Sequence, residues 1–574
     1  MPRENWPHLE SLQLADSNFN ISKSIDILLG VDVYQEILKP GLILGPKGTP
    51  AAQDTIFGWI LFGSTSLTPN DESATHQATT TFVVTTQPKC EEILQKFWTL
   101  EEVPKTKSTL SPIERLVVEH YAHHHRREKD GRFLVRLPFK PNATPFGKSQ
   151  PQALKRFLSL ERRLHHLNLY DKYAMVVHEY FTSEHAEKVP VSELDKPPSE
   201  TFYLPHHAVH KDSTTTPMRV VFDASMKSSS GVSLNDCLFV GPTVHSPLND
   251  VLIRFRKRPY VLITDVSKMY RAVALDIKDR DHHIFLWRDD PTKPVEEYRM
   301  TRVTFGVASA PFLATHSGLQ LAEENQTALP QAARAVRESF YVDDGLPSVE
   351  TKEEAIVLHK QLQELFNKRA FKLHKWDSNS QEVRNVIPEK IRSTKPTASL
   401  HVSDDFTKTL GIEYNSQQDQ FRFSVANLAI DEVDITKRSV LSDSAKVFDP
   451  LGLLSCVTIV MKIIFQRLWE RGIHWDDRLH PDIERDWKEW RNQLAELSSL
   501  RIPCGYAPNN CQIVNRQFVG FSDASEKAYA AVVYLRTVDT AGGVHVSLVE
   551  VKTKVAPIKK ISLFLVSNCV VLIC

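Results

Sequence analysis

The segment Ser339-Phe340-Tyr341-Val342-Asp343-Asp344-Gly345 constrains the fold most: an apolar run ends on two adjacent carboxylates and a glycine. Asp-Gly is a strong hairpin signal, so the segment reads as a strand entering a tight turn. An ordinary surface hairpin would satisfy that reading. With Tyr at 14 of 574 residues, a Y-x-D-D string is expected by chance only roughly 0.03–0.04 times in such a chain. A second apolar run, Pro259 to Val266, carries Asp265 at its end. Aspartate is rarely buried without a partner, so an acid closing a core strand suggests a metal ligand. Two such strands side by side would bring Asp265, Asp343 and Asp344 to one point. Hard oxygen ligands of this kind suit Mg²⁺. Two ions roughly 3.5–4 Å apart can activate a 3′-hydroxyl and stabilise a leaving pyrophosphate.

The surroundings of these strands bound the fold class. Strand signals (MRVVFDAS, PYVLITDV, HHIFLW, EYRMTRVTF, ESFYVDDG) alternate with helical patterns such as Glu353 to Phe366 over 201–380. This predicts an α/β or α+β domain within a multidomain chain. Residues 1–64 read as β-rich with turns, and 65–108 as a linker rich at first in Thr, Ser, Gln and Asn. Residues 109–200 read as a basic helical region, with Ser111-Pro112-Ile113-Glu114 as a helix start. Between Glu114 and Lys172 there are 13 Lys/Arg against 6 Asp/Glu. That stretch fits either a solvated helix face or a phosphate-holding surface. Residues 381–505 read as mainly helical, with Trp469, Trp475, Trp487 and Trp490 as core anchors, and strands return from Gln517.

Composition excludes several classes. A hydrophobic fraction of 41% and a charged fraction of 24% are those of a globular protein, neither disordered throughout nor fibrous. Lys+Arg and Asp+Glu are both 70, so no global charge argument for nucleic-acid binding exists. The seven cysteines include no C-x-x-C pair, which predicts neither a disulfide framework nor a Cys-based zinc site, and a reducing interior. His123, His124 and His125 read as a solvated helix end. Met1 to Asn20 has no apolar core of a signal peptide. The apolar run Leu451 to Phe465 is interrupted by Lys462, and the tail 561–574 has 14 residues. Both fall short of the roughly 20 residues of a membrane span. The expectation is an intracellular protein, cytoplasmic or particle-associated.

Beyond the acids, ordered segments resemble the Pol polyprotein of BEL/Pao long-terminal-repeat retrotransposons in its reverse transcriptase region. They include YLPHHAVHK (203–211), RVVFDASMKSSSGVSLNDCLFVGPTV (219–244), LITDVSKMYRAVAL (262–275), VTFGVASAPFLAT (303–315), FYVDDGL (340–346), FKLHKWDSNS (371–380), TLGIEY (409–414) and FDPLGLLSCVTIVMK (448–462). The resemblance implies a right-hand polymerase, with fingers and palm over 201–380 and a helical thumb over 381–505. It implies RNA-directed DNA synthesis with two Mg²⁺ or Mn²⁺, on an RNA or DNA template with a DNA primer and dNTPs. Asp265, Asp343 and Asp344 take the places of the catalytic metal ligands. Tyr270, five residues after Asp265, takes the place of the aromatic gate that excludes a ribose 2′-hydroxyl; a core aromatic is the other reading. Phe305 and Gly306 open the segment under the incoming base pair, and Arg219 takes a triphosphate-facing place. Trp376, Leu410 and Gly411 resemble the primer grip, or pack beneath the palm.

The two ends are incomplete by the same standard. Residues 1–64 resemble the last part of a retropepsin-like protease, with Ile27-Leu28-Leu29-Gly30 as its apolar-apolar-Gly segment. No Asp-Thr-Gly or Asp-Ser-Gly occurs, and such a protease needs paired aspartates, so proteolysis is expected to be absent. Residues 510–560 resemble the opening of a ribonuclease H domain with Asp523 as its first metal-binding acid. No acid follows Glu550. RNA-strand cleavage is therefore expected to be absent, and residues 561–574 read as an aberrant tail from a frame change, a retained intron or a gene-model edge. Deleting 510–574 is expected to improve solubility by removing the exposed strand AYAAVVYLR without loss of polymerisation. The alternative to an active polymerase is an inactive retroelement remnant that at most binds nucleic acid.

Overall fold

The computed structural model describes residues 6–7, 9, 12–16, 37–46, 49–62, 110–210, 218–393, 397–399, 410–425, 435–444, 447, 449–508 and 511–557. The expected protease segment 27–30, the linker 65–108 and the tail 561–574 lie outside them. The chain divides into two compact units, Met1–Gln87 and Pro88–Cys574. The first contains an antiparallel sheet of Leu38–Ile43, Ala51–Thr55 and Gly58–Phe62, with Trp6, Leu9 and Ala52 as its small core.

In the second unit the N-terminal helices form where the sequence signals them. Helix Pro112–His124 starts at a capping box in which Ser111 and Glu114 satisfy each other's backbone N–H groups. The three histidines at its end each set Nδ1 against the carbonyl one turn back, at 2.7, 2.8 and 2.9 Å, and cap the helix. Several cations of the basic stretch are paired: Arg136 with Asp279, Arg156 with Asp223 and Arg127 with Glu324.

The centre of the unit is strand Tyr260–Ser267, whose alternation serves two cores. Leu262 and Val266 enter a cluster with Leu313, Val336, Leu358 and Leu362. Val261 and Ile263 enter a second with Val251, Phe255, Met461 and Trp487. Burial on both faces explains the unbroken apolar run. The strand pairs antiparallel with Asp344–Gly345, Ser348–Val349 and Lys372–Ser378.

Two element readings are corrected. The approach to the acid pair is a helix, Pro330–Ser339, followed by only Phe340–Tyr341 as strand. Pro330 at the helix start and buried Ala332, Ala333 and Val336 at helical spacing outweigh the β-prone Phe and Tyr. Within 381–505 a four-stranded antiparallel sheet stands beside the helices, made of Thr397–Ser399, Leu410–Asn415, Gln420–Val425 and Arg501–Pro503. Trp487 and Trp490 stack in the second core. Trp469 is instead 44% exposed, beneath the Lys437 ammonium at 3.5 Å.

The C-terminal sheet comprises Ile513–Ala524, Ala528–Asp539 and Val544–Val555 in antiparallel order. Its last strand is tied to helix Ser455–Glu470: buried Lys462 donates to the Thr553 carbonyl and hydroxyl at 3.1 Å. Buried Arg256 donates to the carbonyls of Cys504, at 2.9 Å, and Val549, at 3.4 Å. Removing 510–574 would take both Thr553 acceptors from Lys462 and the Val549 carbonyl from Arg256, which keeps that of Cys504, so an indifferent deletion is no longer expected. The exposed large apolar side chains are Val514, Phe518 and Phe521 on the first strand and Val544 and Val546 on the third, rather than any on the central AYAAVVYLR strand. Among the described residues, no helix is long and apolar enough to cross a membrane.

Candidate functional site

Strand register brings the acids together. Asp344 is the direct antiparallel partner of Asp265, and Gly345 the partner of Thr264. Tyr341 pairs with Asp344, leaving Val342 and Asp343 as the two turn residues. The Asp343 carbonyl accepts the Val266 N–H at 2.8 Å, which closes the hairpin on the central strand. Directly opposed residues share a face with Cβ atoms about 4.5–5.5 Å apart, and like charges placed so repel. The turn adds strain of its own, because Val342 holds φ at 54°, a left-handed conformation costly for a β-branched residue.

A third strand supplies the countercharge. Lys372–Ser378 has a register shift between His374 and Asp377 where it pairs with the central strand, and Lys375 holds φ at 53°. A bulge re-aims side chains. Here it leaves both His374 and Lys375 beside Asp265: Lys375 Nζ is 2.7 Å from Oδ2, and His374 Nδ1 is 3.3 Å from Oδ1. The donor set, three carboxylates on one edge, is chemically suited to Mg²⁺ or Mn²⁺. Their oxygens do not all lie within 4.8 Å of one another, a spacing that among the described residues only Cys511, Asp539 and His545 reach as a trio.

The remaining expected residues are placed as follows. Tyr270 lies in the short helix Met269–Ala272 that follows the central strand, half-buried, its ring 4.4 Å from that of Phe305. The two rings are therefore neighbours. Gly306 is exposed at φ 95°, and a Cβ there would meet the Phe222 carbonyl oxygen at 1.9 Å. The close approach it permits is to strand Met218–Phe222. Arg219 lies on that strand. Trp376 is 1% exposed, with its ring edge-on to His359 at 4.4 Å. It packs in the core, while Leu410 and Gly411 lie on the separate four-stranded sheet. Asp523 is exposed on the C-terminal sheet, opposite Ala530, which in turn faces Thr553.

Sequence reasoning missed Arg271 and Lys375. Arg271 stacks over Tyr180 at 5.1 Å, and its Nε and Nη1 are buried with no hydrogen-bond partner among the described residues. Burial lowers its pKa from the ordinary guanidinium value, Tyr180 opposes the fall and Arg219 adds to it. Buried guanidinium N–H groups without an acceptor are donors suited to an anion. The adjacency of Arg271 to Tyr270 was the only linear signal, and nothing in the sequence tied it to Arg219.

Residues 436–567 match the family model described as Pao retrotransposon-like RNaseH-like domain. The resemblance to a retrotransposon Pol fragment holds in that region. The match crosses the boundary expected near 505–510 and takes in helices Lys437–Ser444, Ser455–Glu470 and Pro481–Gln493 as well as the C-terminal sheet. No curated protein matches the sequence. Among solved structures, the chain is similar to a foamy viral protease-reverse transcriptase in complex with an RNA/DNA hybrid. The identity is 12% and the TM-score 0.44, over 91% of this chain and 61% of that one. It is also similar to a foamy viral protease-reverse transcriptase dRH in complex with ds DNA, at 12% identity and a TM-score of 0.42, over 91% of this chain and 81% of that one. The chain thus spans about three fifths of the first of these, 61%.

Proposed function

We propose that the chain is a retrotransposon polyprotein fragment whose second unit is an RNA-directed DNA polymerase, with the sheet around Tyr260–Ser267 as its palm. The observation that carries this reading is the register that sets Asp344 opposite Asp265 with Asp343 in the adjoining turn. Asp265, Asp343 and Asp344 would hold two Mg²⁺ or Mn²⁺, which when bound activate the primer 3′-hydroxyl and neutralise the leaving pyrophosphate. Lys375 keeps the opposed carboxylates from repelling until a cation takes its place. Arg271 and Arg219 hold the triphosphate of the incoming nucleotide. The Tyr270 ring, supported by Phe305, occupies the space a 2′-hydroxyl would need. The template strand, DNA primer and dNTPs are the partners implied.

Asp523 is a different case. No carboxylate stands opposite it in the sheet, and one acid cannot hold two ions. We assign no RNA-strand cleavage to this chain by itself, although it carries an RNaseH-like domain.

Primer extension on an RNA template tests the proposal. The full chain should extend a DNA primer with Mg²⁺. Asp343→Asn keeps the shape and removes a ligand charge, and should reduce the rate at least about a hundredfold, or about 2.7 kcal/mol of barrier. Extension by the Asn variant at the parental rate would remove Asp343 from the site.

A further inference from the structure

We propose that Cys511, Asp539 and His545 form a binding site for a zinc-class divalent ion at the open end of the C-terminal sheet. One ligand atom from each lies within 4.8 Å of the other two, although the sequence has no C-x-x-C pair and its two H-x-x-x-H pairs, His120–His124 and His206–His210, lie far from these residues along the chain. Strand register assembles it. Asp539 ends the central strand opposite Ile513, two residues after Cys511, and His545 opens the third strand. The Thr540 N–H donates to the Gln512 carbonyl at 2.9 Å and fixes the cysteine segment against the turn.

The turn is shaped around the carboxylate. Asp539 Oδ1 accepts the N–H groups of Ala541, at 2.9 Å, and Gly543, at 2.7 Å. Oδ2 is left toward His545 Nε2, at 3.1 Å. A Cβ on residue 543 would meet Oδ2 at 2.6 Å, so only glycine leaves room for the carboxylate in this pose. A carboxylate that merely caps a turn needs the two N–H groups alone. It does not need a thiol and an imidazole brought beside it from two other segments.

The donor set selects the ion. Thiolate sulfur, imidazole nitrogen and carboxylate oxygen together suit Zn²⁺, with the fourth tetrahedral position left for water. Bond lengths of about 2.0–2.2 Å to N and O put those atoms roughly 3.3–3.5 Å apart in a tetrahedral site. The 3.1 Å seen here needs only a small opening. Burial and the Asp539 charge both hold the Cys511 thiol above its ordinary pKa. Binding therefore releases the thiol proton to solvent, and the divalent charge replaces it. The site is distinct from Asp523, which lies ten residues further along the first strand, or about 33 Å at strand rise.

Titration of the full chain with Co²⁺ as a spectroscopic substitute separates this site from the acid cluster, because only a thiolate ligand gives a sulfur-to-cobalt charge-transfer band. The expected result is one such band, bleached by Zn²⁺ and accompanied by a rise in Tm with Zn²⁺. The band should be lost in Cys511→Ser and in His545→Ala and kept in Asp523→Asn. Cys511→Ser is near-isosteric, and circular dichroism confirms that the variant is folded. Absence of the band in the parental chain, or its persistence in folded Cys511→Ser, would overturn the proposal.

Discussion

Asp265 stands between two opposite influences: the Asp344 carboxylate across the strand pair and the Lys375 ammonium at 2.7 Å. The lysine side chain is 51% exposed, so the pair contributes no more than about 1 kcal/mol to stability. Its effect should fall on metal binding. Lys375→Ala should leave Tm nearly unchanged and lower the Mg²⁺ concentration that gives half-maximal extension. An unchanged or raised requirement would show that Lys375 does not compete with the ion. At Tyr270, removal of the ring should admit rNTPs relative to dNTPs, measured as the ratio of kcat/KM values in Tyr270→Ala. Equal discrimination would return Tyr270 to the role of a packing partner for Phe305. Asp265, Asp343, Asp344 and Tyr270 were legible because strand-end acids and a fixed spacing are local signals. Lys375, Arg271 and the Cys511 trio were not, because a bulge and long-range register place them.

At the scale of elements, the hairpin Phe340–Gly345 carries its own strain in one residue, Val342. A non-glycine residue in the left-handed region costs roughly 1–2 kcal/mol, and the greater freedom of glycine in the unfolded chain offsets about 0.5–1 of it. Val342→Gly should therefore leave stability equal or higher by up to about 1.5 kcal/mol. Val261→Gly, where the strand is buried on both sides, should lower Tm strongly. A loss at Val342 comparable to that at Val261 would mean the turn is not strained. Helix Pro112–His124 was readable from its capping box. Helix Pro330–Ser339 was not, since Phe340 and Tyr341 extend an apolar run past its end. The hairpin Leu410–Val425 was signalled only by the likeness of Leu410 and Gly411 to a primer-grip hairpin, although buried Tyr414, Phe421 and Phe423 share its alternation.

Across the whole molecule, buried neutral histidines tie stability to pH. His206 is enclosed between the Tyr173 hydroxyl and the Leu286 carbonyl, and burial lowers its pKa to about 4. Burial lowers His283 to about 3. The unfolded chain binds these protons near pH 6.5 and the folded chain does not, so the unfolded state gains protons first as the pH falls. Tm should fall progressively from about pH 6.5 toward pH 4, and a flat profile would contradict neutral burial. The mixed α/β class and the RNaseH-like C-terminal region followed from the sequence, whereas the docking of the last strand through Lys462 and Arg256 needed the fold. The acid cluster is the centre of the account, and single-turnover primer extension across four variants tests it most directly. Asp265→Asn, Asp343→Asn and Asp344→Asn should each lose at least about a hundredfold, with Asp523→Asn at the parental rate. Parental rates in all four, or no extension by the parental chain, would contradict it.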